Sequence, residues 1–507
     1  MRNALALAAT CVAALMFGLE ISSVPVILPA LGNQLGADFV DMQWVMNAYT
    51  IACTTVLMAV GALADRFGRR RLFVLSLVLF GLASLACGTA QSIAVLIASR
   101  AAQGLGGSAM LTCLLAILAQ QFREGAERAR AFSIWGVVFG AGLGLGPVVG
   151  GLIASLAGWR WVFLVHVPIA AVTLVAALAT IPESRDTHPQ PLDVGGILLL
   201  SLAVLGLSAF LMEGPQFGFG SPFIVGIAVA TLLSVVCFVH LQRRSAQPLF
   251  DFSIWRNRRF CGAILGSAGV NFSFWPLMIY LPIDFQNGLG YDHATTGLVL
   301  LGYTLPVLLL PPLGEYLALR YQPRLVIPLG LSITGLGCVL IAWGSAVAAP
   351  SWLTLLPGCL LAGAGVGLAN TSITNTATGS VPPRRAGMAS GIDMTVRLVT
   401  LAANIAFMGI LLVTGVRLAL ARSLPAGAGT PDLYALAERL VADGPASAGG
   451  ATAGPQLEAV LRTALQHGFC LVTLYAGVGA LLLGALIYVV FGRSRTASAP
   501  GLELVRF

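Results

Sequence analysis

The stretch LIASRAAQGLGGSAM, residues 96–110, sets Arg100 inside a run that is otherwise apolar or small and, with its flanks, long enough to cross a bilayer. A second stretch, AALMFGLEISSVPVILPAL at residues 13–31, does the same with Glu20. A charge at the centre of a spanning helix costs about 2.5–3.5 kcal/mol on insertion scales, so such groups usually face a watery cavity and handle ions, protons or substrate. Both stretches therefore point to a transport pathway. The composition agrees. Of 507 residues, 57% are apolar, 9% are charged and 59 are glycine, and the mean hydropathy is +0.90, as in a multi-pass membrane protein rather than a soluble domain. At about 20 apolar residues per span, the chain accommodates fourteen, centred near residues 17, 53, 81, 104, 142, 171, 203, 231, 270, 304, 335, 365, 402 and 479. The expected fold class is all-α. Arg2 ahead of the first apolar run gives it the look of a secretory signal. No small-residue cleavage pattern ends that run, and apolar sequence continues to Leu31, so it is expected to remain as a span.

Every one of the 28 basic residues is an arginine, and their placement sets the topology, because basic residues are retained on the cytoplasmic side. With the N-terminus inside, alternate loops contain Arg66, Arg69, Arg70 and Arg71, then Arg123, Arg128 and Arg130, then Arg243, Arg244, Arg256, Arg258 and Arg259. The opposite loops, near residues 32–43, 91–93, 213–221 and 346–351, have none, with the long segment 416–466 as the exception. Both termini are expected in the cytoplasm and the protein in the cytoplasmic membrane. The net charge of +8 then reflects topology rather than nucleic-acid binding. Without lysine there is no G-x-x-x-x-G-K-[ST] phosphate loop and no Schiff-base cofactor, so uphill transport would draw on an ion gradient or a separate subunit. Nine cysteines without C-x-x-C spacing and five scattered histidines indicate no metal site. No cofactor and no catalytic constellation is indicated, and the chain is not expected to be an enzyme.

The most specific local signal is Gly61-Ala62-Leu63-Ala64-Asp65-Arg66-Phe67-Gly68-Arg69-Arg70-Arg71. A tight turn between two spans needs glycine, an acid that can engage a helix N-terminus, and arginines that bind carboxylates or lipid phosphates. An ordinary basic loop has the same look. Farther along, Gly136, Gly140 and Gly144 form one four-residue ridge and Gly142, Gly146 and Gly150 another. This small-xxx-small spacing lets helices approach closely, while Pro147 removes a backbone donor and tends to kink the span. Such a helix either packs statically or moves as a seam between two halves, and the Gly-Pro step inside the ridge favours the seam.

These segments resemble the major facilitator superfamily. Gly61, Leu63, Asp65, Arg66, Gly68, Arg69 and Arg70 match its loop motif between helices 2 and 3. Arg100, Gln103, Gly104, Gly106 and Gly107 match its helix 4 motif, and Gly142, Gly146, Pro147, Gly150 and Gly151 match the helix 5 motif that in this family marks antiporters. Fourteen spans rather than twelve resemble its drug:proton antiporter branch. So do Trp44 and Tyr49 opening helix 2, residues 159–163 before helix 6, 191–196 before helix 7, 248–251 before helix 9, and 387–391 with Arg397 in helix 13. The resemblance covers residues 8 to 490. It implies two pseudo-symmetric six-helix bundles, 1–181 and 259–491, two inserted helices within 182–258, a long outer loop at 416–466 and a cytoplasmic tail at 492–507. The chain departs from the branch at Glu20 and Ser22, where aspartate and threonine are common, and at Asp393, where asparagine is expected. It departs again at Gly314–Arg320, a degenerate copy of the first loop.

An antiporter exposes one central site alternately to each side, and a proton competes with substrate for it or for a coupled carboxylate. Loss of water favours the neutral form of a carboxyl group, so Glu20 is the first candidate for proton coupling, against a packing role near the helix surface. Arg100 would tune it or bind an anionic group. Asp393 stands at i,i+4 spacing from Arg397, which lets the two pair as a cytoplasmic gate or as a static salt bridge. The resemblance implies that Asp65, with Gly61, Arg66, Gly68, Arg69 and Arg70, forms a conformational switch holding the halves together on the cytoplasmic side. Trp44, Asn47, Gln103, Phe139, Asn271, Trp275, Asn370 and Asn375 are candidate substrate contacts, although aromatics and asparagines also pack between helices. Residues 431–440 read as a short amphipathic helix or a loop. The expected function is export of lipophilic small molecules such as drugs, antiseptics or antibiotics by proton-coupled antiport. The protein is expected to be a monomer whose partners are its substrate, protons and the lipid bilayer. Proton-driven uptake, export of one specific metabolite, and a sensor or scaffold without transport stand as alternatives.

Overall fold

The computed structural model describes residues 2–122, 126–185, 193–245, 252–347, 349–381, 386–423, 433–445 and 455–492. Among these, the regular elements are all helical, because inside lipid each backbone N–H and C=O must be satisfied within its own segment. The first seven are α1 (Arg2–Leu35), α2 (Phe39–Phe67), α3 (Arg69–Thr89), α4 (Ile93–Gln121), α5 (Ala126–Ala157), α6 (Arg160–Leu164) and α7 (His166–Thr180). Two more, α8 (Val194–Phe217) and α9 (Pro222–Arg244), precede α10 (Arg258–Ile283), which runs into a π-helical turn at Asp284–Gly288. Then come α11 (His293–Leu309), α12 (Pro311–Tyr321), α13 (Pro323–Ser345), α14 (Trp352–Gly379), α15 (Ala386–Ser423), α16 (Leu433–Asp443) and α17 (Pro455–Phe491). Among the described residues twelve helical stretches, α6 and α7 together being one, are long and apolar enough to cross a membrane, or thirteen when α11 and α12, bent by 42° at their junction, count as one span.

Short polar caps start these helices. Asp38 and Asp41 close a capping box on α2, with Asp41 N to Asp38 Oδ1 at 2.7 Å and Asp38 N to Asp41 Oδ2 at 3.2 Å. Asp193 caps α8 through Gly196 N at 2.8 Å, and its other oxygen accepts from Gln242 of α9 at 2.5 Å, which pins these two helices together. The α2–α3 turn is a single residue, Gly68, at φ +111°, a conformation that suits glycine. The α12–α13 turn uses Gln322 at φ +69° instead, the one non-glycine residue with positive φ among the described residues.

Helices α1–α7 pack on one another, as do α10–α17. One end of the bundle collects Arg66, Arg69, Arg70, Arg71, Arg258 and Arg259, and the other carries α16. The apolar packing differs between the ends. At the α16 end a single core joins both halves, with Val26, Ile27 and Leu31 of α1 and Met42 of α2 against Tyr280 and Ile283 of α10, Leu412 of α15, Leu440 of α16 and Phe469 of α17. At the arginine end the cores are separate, one around Phe73, Phe80 and Leu114 and another around Phe260, Ile264 and Ile392. The molecule is thus closed at the α16 end. Helix α8 lies over the seam between α2 and α15, with Met212 and Val204 in contact with both.

One expectation needs correction. Segment 416–466 is mostly helical rather than an irregular loop, since α15 has 38 residues and α17 has 37. At about 1.5 Å per residue these exceed the about 30 Å of hydrocarbon and continue beyond it. Helix α5 contains Pro147 inside its length, where a proline removes one backbone donor. Within the long segment, the amphipathic reading of residues 431–440 corresponds to α16.

Candidate functional site

Glu20 on α1, Arg100 and Gln103 on α4, and His166 opening α7 converge in the first half, all four at 1% exposure or less. Arg100 Nη1 donates to Glu20 Oε1 and, at 2.7 Å, to Gln103 Oε1. Its Nε donates to Val45 O of α2 at 3.1 Å, and its guanidinium lies over the Tyr49 ring at 4.4 Å. Gln103 Nε2 passes the chain on to Ser84 Oγ of α3 at 2.9 Å. His166 Nδ1 lies 3.4 Å from Glu20 Oε2 and 3.1 Å from Val162 O. Glu20 Oε2, Arg100 Nη2 and His166 Nε2 make no hydrogen bond. A buried ion pair is a weak source of stability even when fully satisfied, so an incompletely satisfied one inside an apolar bundle points to a site that handles charge. His166 escaped sequence reading, although its setting, LVHVPIA, is the same signal that exposed Arg100.

Helix α5 forms the joint between the halves, because its two glycine ridges face different partners. Gly142, Gly146 and Gly150 receive α1: a Cβ on Gly142 would stand 2.9 Å from Leu15 O, and one on Gly150 2.9 Å from Ser23 Cα. Ser22 Oγ sits over Gly146 and donates to Gly142 O at 3.1 Å. Gly140, Gly144 and Gly151 receive α11 of the other half, where Leu308 covers Gly140, Thr304 Oγ1 donates to Gly144 O at 2.6 Å, and His293 O lies over Gly151. Pro147 O lies against Gly297 in the same interface. Helix α5 thus packs α1 on one glycine face and α11 on the other.

The remaining candidates fall into distinct groups. Arg397 Nε donates to Asp393 Oδ2 at 3.1 Å, its Nη1 to Asn370 Oδ1 at 2.6 Å and its Nη2 to Thr374 Oγ1 at 3.1 Å, while Ser267 donates to Asp393. This cluster belongs to the second half, as does Asn271, which donates to Ser267 O of its own helix at 2.9 Å. Trp275 packs edge-on against Phe274, 5.5 Å between centroids. Asn375 donates to Glu315 at 3.2 Å in a groove at the arginine end. Trp44 Nε1 donates to Glu213 of α8 at 2.9 Å, and Asn47 Nδ2 contacts Met212 of α8 and Ala402 O of α15, so both hold the α8 seam. Phe139 stacks on Trp135 at 5.6 Å and on Phe17 at 6.3 Å, an aromatic wall that reaches Tyr49.

In the α2–α3 turn the packing of Gly61 and the side chain of Asp65 lie outside what is described, while Arg66 is exposed beside Phe67. The acid that engages the N-terminus of α3 is Glu183, beyond α7, which accepts from Arg70 N and Arg71 N at 3.2 Å each. Gly68 makes room for it, since a Cβ there would stand 2.5 Å from Glu183 Oε1. Arg69 Nη1 donates to Gln120 at 2.9 Å and Arg70 Nη2 to Leu178 O at 2.7 Å, so this turn ties α3, α4 and α7 together.

A bundle of at least twelve helices long and apolar enough to span a membrane, with a buried charge network in its first half and a glycine-faced seam between its halves, has the build of a multi-pass membrane transporter. The chain belongs to the Major Facilitator Superfamily, whose sequence model matches residues 10–403 and 260–499. It is similar to the multidrug resistance protein Stp of Mycobacterium tuberculosis, 34% identical over 80% of this chain and 75% of that protein. The tetracenomycin C resistance and export protein of Streptomyces glaucescens is 29% identical over 81% of this chain and 76% of its own. The puromycin resistance protein of Streptomyces alboniger is 31% identical over 75% and 76%. A bacterial homologue of the lysosomal transporter Spinster shares the fold, with a TM-score of 0.62 at 15% identity over 98% of this chain and 99% of that one.

Proposed function

We propose that the protein exports lipophilic small molecules across the cytoplasmic membrane in exchange for protons. In this reading α2 and the bent α11–α12 unit complete fourteen spans, with six in each of two related bundles and α8 and α9 inserted between them. The arginine end and both termini are cytoplasmic, as the retention of basic residues requires. The observation that carries the reading is the buried Glu20–Arg100–His166 network on α1, a helix whose other face packs on the glycines of α5. Protonation of Glu20 removes the charge that Arg100 compensates, which weakens the hold of Arg100 Nη1 on α1 and leaves it on Gln103. A proton taken up at one face and released at the other is thereby tied to movement between the halves. The aromatic wall of Phe17, Trp135 and Phe139 supplies apolar contact next to this network, and Trp135 Nε1, buried without an acceptor, supplies one donor. The names of relatives that confer resistance to tetracenomycin C and puromycin support antibiotics as the substrate class. Asp393 and Arg397 serve as the second-half gate, and the α2–α3 turn with Asp65 as the switch.

Transport by purified protein in liposomes under an imposed pH gradient tests this, with ethidium, puromycin and a tetracycline-like polyketide as probes. Wild type is expected to move at least one probe against its gradient only while the pH gradient lasts, and Glu20→Gln to lose this coupled movement. Wild-type transport that ignores the gradient would remove proton coupling from the reading.

A further inference from the structure

The π-helical turn at the α16 end of α10 is the hub of the closed end. Gln286 Nε2 donates to Val26 O of α1, in the opposite half, at 2.7 Å. Asn287 Nδ2 donates to Val441 O and Ala442 O of α16 at 2.8 and 3.1 Å. Gly288 O accepts from Arg462 Nη1 of α17 at 3.1 Å. The turn thus holds three elements from both halves. Asp284, which opens it, is different: it is 3% exposed, and its Oδ1 has no donor. A Cβ on Gly288 would stand 2.6 Å from that oxygen, so glycine is what leaves it room. Single π turns are frequent at functional positions.

Among the described residues no charged group on a neighbouring element forms an ion pair with Asp284. On α17, Arg462 is closed on Glu458 at 2.9 Å as well as on Gly288 O. On α16, Asp443 lies against Gly32 of α1, and Arg439 is exposed on the same helix. On α11, Asp292 caps its own helix through Thr295 N at 3.0 Å, and the imidazole of His293 faces Val26 O, the carbonyl that Gln286 also reaches, with its Nδ1 unbonded. Tyr280, one turn back on α10, donates to Ile405 O. Among the described residues no cation pairs with Asp284. An isolated carboxylate out of water pays a large desolvation penalty as an anion and a much smaller one as the neutral acid, so excluding water from this turn goes together with binding a proton.

We propose that Asp284 is a proton-binding site that latches the α16 end. It takes a proton from the solution on that side as α16 and the π turn close over it, one O–H bond forming, and returns the proton to the same solution on opening. No net proton crosses the membrane through Asp284, which separates its role from that of Glu20. The proposal rests on the function proposed above only in calling that solution the outer one. Acid outside would then favour the closed outer end.

Hydrogen–deuterium exchange of the full chain in lipid nanodiscs, corrected for intrinsic rates between about pH 5.5 and 8.5, reads the latch directly. In wild type, protection of the amides of α16 and of residues 284–288 is expected to fall by about tenfold or more as pH rises. Asp284→Asn is expected to keep these amides protected throughout, and Asp284→Ser gives the same flat profile should asparagine not fold. Asp443 is the control, because burial also raises its carboxyl above the usual aspartate range, and Asp443→Asn is expected to keep the wild-type response. A wild type without the response, an Asp284→Asn profile that follows wild type, or a flat profile in Asp443→Asn alone overturns the proposal. No substrate enters the measurement, so its failure is distinguishable from failure of the export reading.

Discussion

Glu20 and Arg100 compensate each other's charge in a place where neither would be tolerated alone, and that mutual dependence is testable. Removing one partner of a buried pair costs about 3–5 kcal/mol because the other is left uncompensated. Arg100→Gln is therefore expected to lower the melting temperature of the purified protein sharply, and Glu20→Gln/Arg100→Gln together to recover much of the loss, although neither variant transports. Strictly additive losses in the double variant would show that the two groups do not act as a pair. At Asp292 the sign of a pH effect can be worked out. Its carboxyl is held below the usual aspartate range, first by the Thr295 side chain and then by Thr295 N. The folded-state value being lowered, the stabilisation is present above the unfolded value of about 3.9 and disappears as pH falls through the folded one. Asp292→Ala is expected to cost about 1 kcal/mol at neutral pH and progressively less below pH 4, as followed by thermal unfolding across pH. Residue-level reading of the sequence reached Glu20 and Arg100 because a formal charge in an apolar run is conspicuous. It passed over His166, which carries no formal charge in such a count, and Glu183, whose role exists only because the end of α7 meets the start of α3.

Among the elements, α5 shows how far spacing alone can be carried. A period of four identifies two glycine faces, but not that one of them receives α1 and the other α11. In lipid such helices associate through close packing rather than the hydrophobic effect, so a methyl group has no compensating gain. Gly150→Ala, whose Cβ would stand 2.9 Å from Ser23 Cα, is expected to cost about 1–3 kcal/mol and to impair transport, while Gly136→Ala, which faces open space, is expected to be silent. Equal effects of the two on melting temperature and transport would remove the seam from consideration. The lengths of α15 and α17 were not legible because their Ala- and Leu-rich sequence remains helical beyond the hydrocarbon. The α12–α13 turn is the converse case, where the sequence departs from glycine and the backbone does not. Gln322 holds a backbone conformation close to that of Gly68 without glycine's freedom. Gln322→Gly is expected to raise stability by about 1 kcal/mol, and a lowered melting temperature would contradict this.

For the molecule as a whole, the arginines mark one end of the bundle, but nothing in their pattern says which end is shut. Closure depends on neutral side chains that look ordinary in sequence. Gln43 of α2 donates to Tyr280 OH at 3.1 Å and to Ile405 O at 3.2 Å, and Gln286 donates to Val26 O at 2.7 Å, each reaching from one half to the other. At about 1 kcal/mol each, losing both links favours opening by about 2 kcal/mol, or about thirtyfold. Ser23 reports the change well, being 3% exposed on the α16 side of Glu20 with its hydroxyl unbonded. In a background without the native cysteines, Ser23→Cys is expected to react slowly with a membrane-impermeant thiol reagent applied to the outside of cells. Adding Gln43→Ala and Gln286→Ala is expected to raise that rate by up to about thirtyfold, and to slow export because the outer end no longer closes on schedule. Reaction from the cytoplasmic face alone would reverse the assigned orientation, and an unchanged rate in the triple variant would mean that the shared apolar core, rather than these two glutamines, holds the α16 end shut.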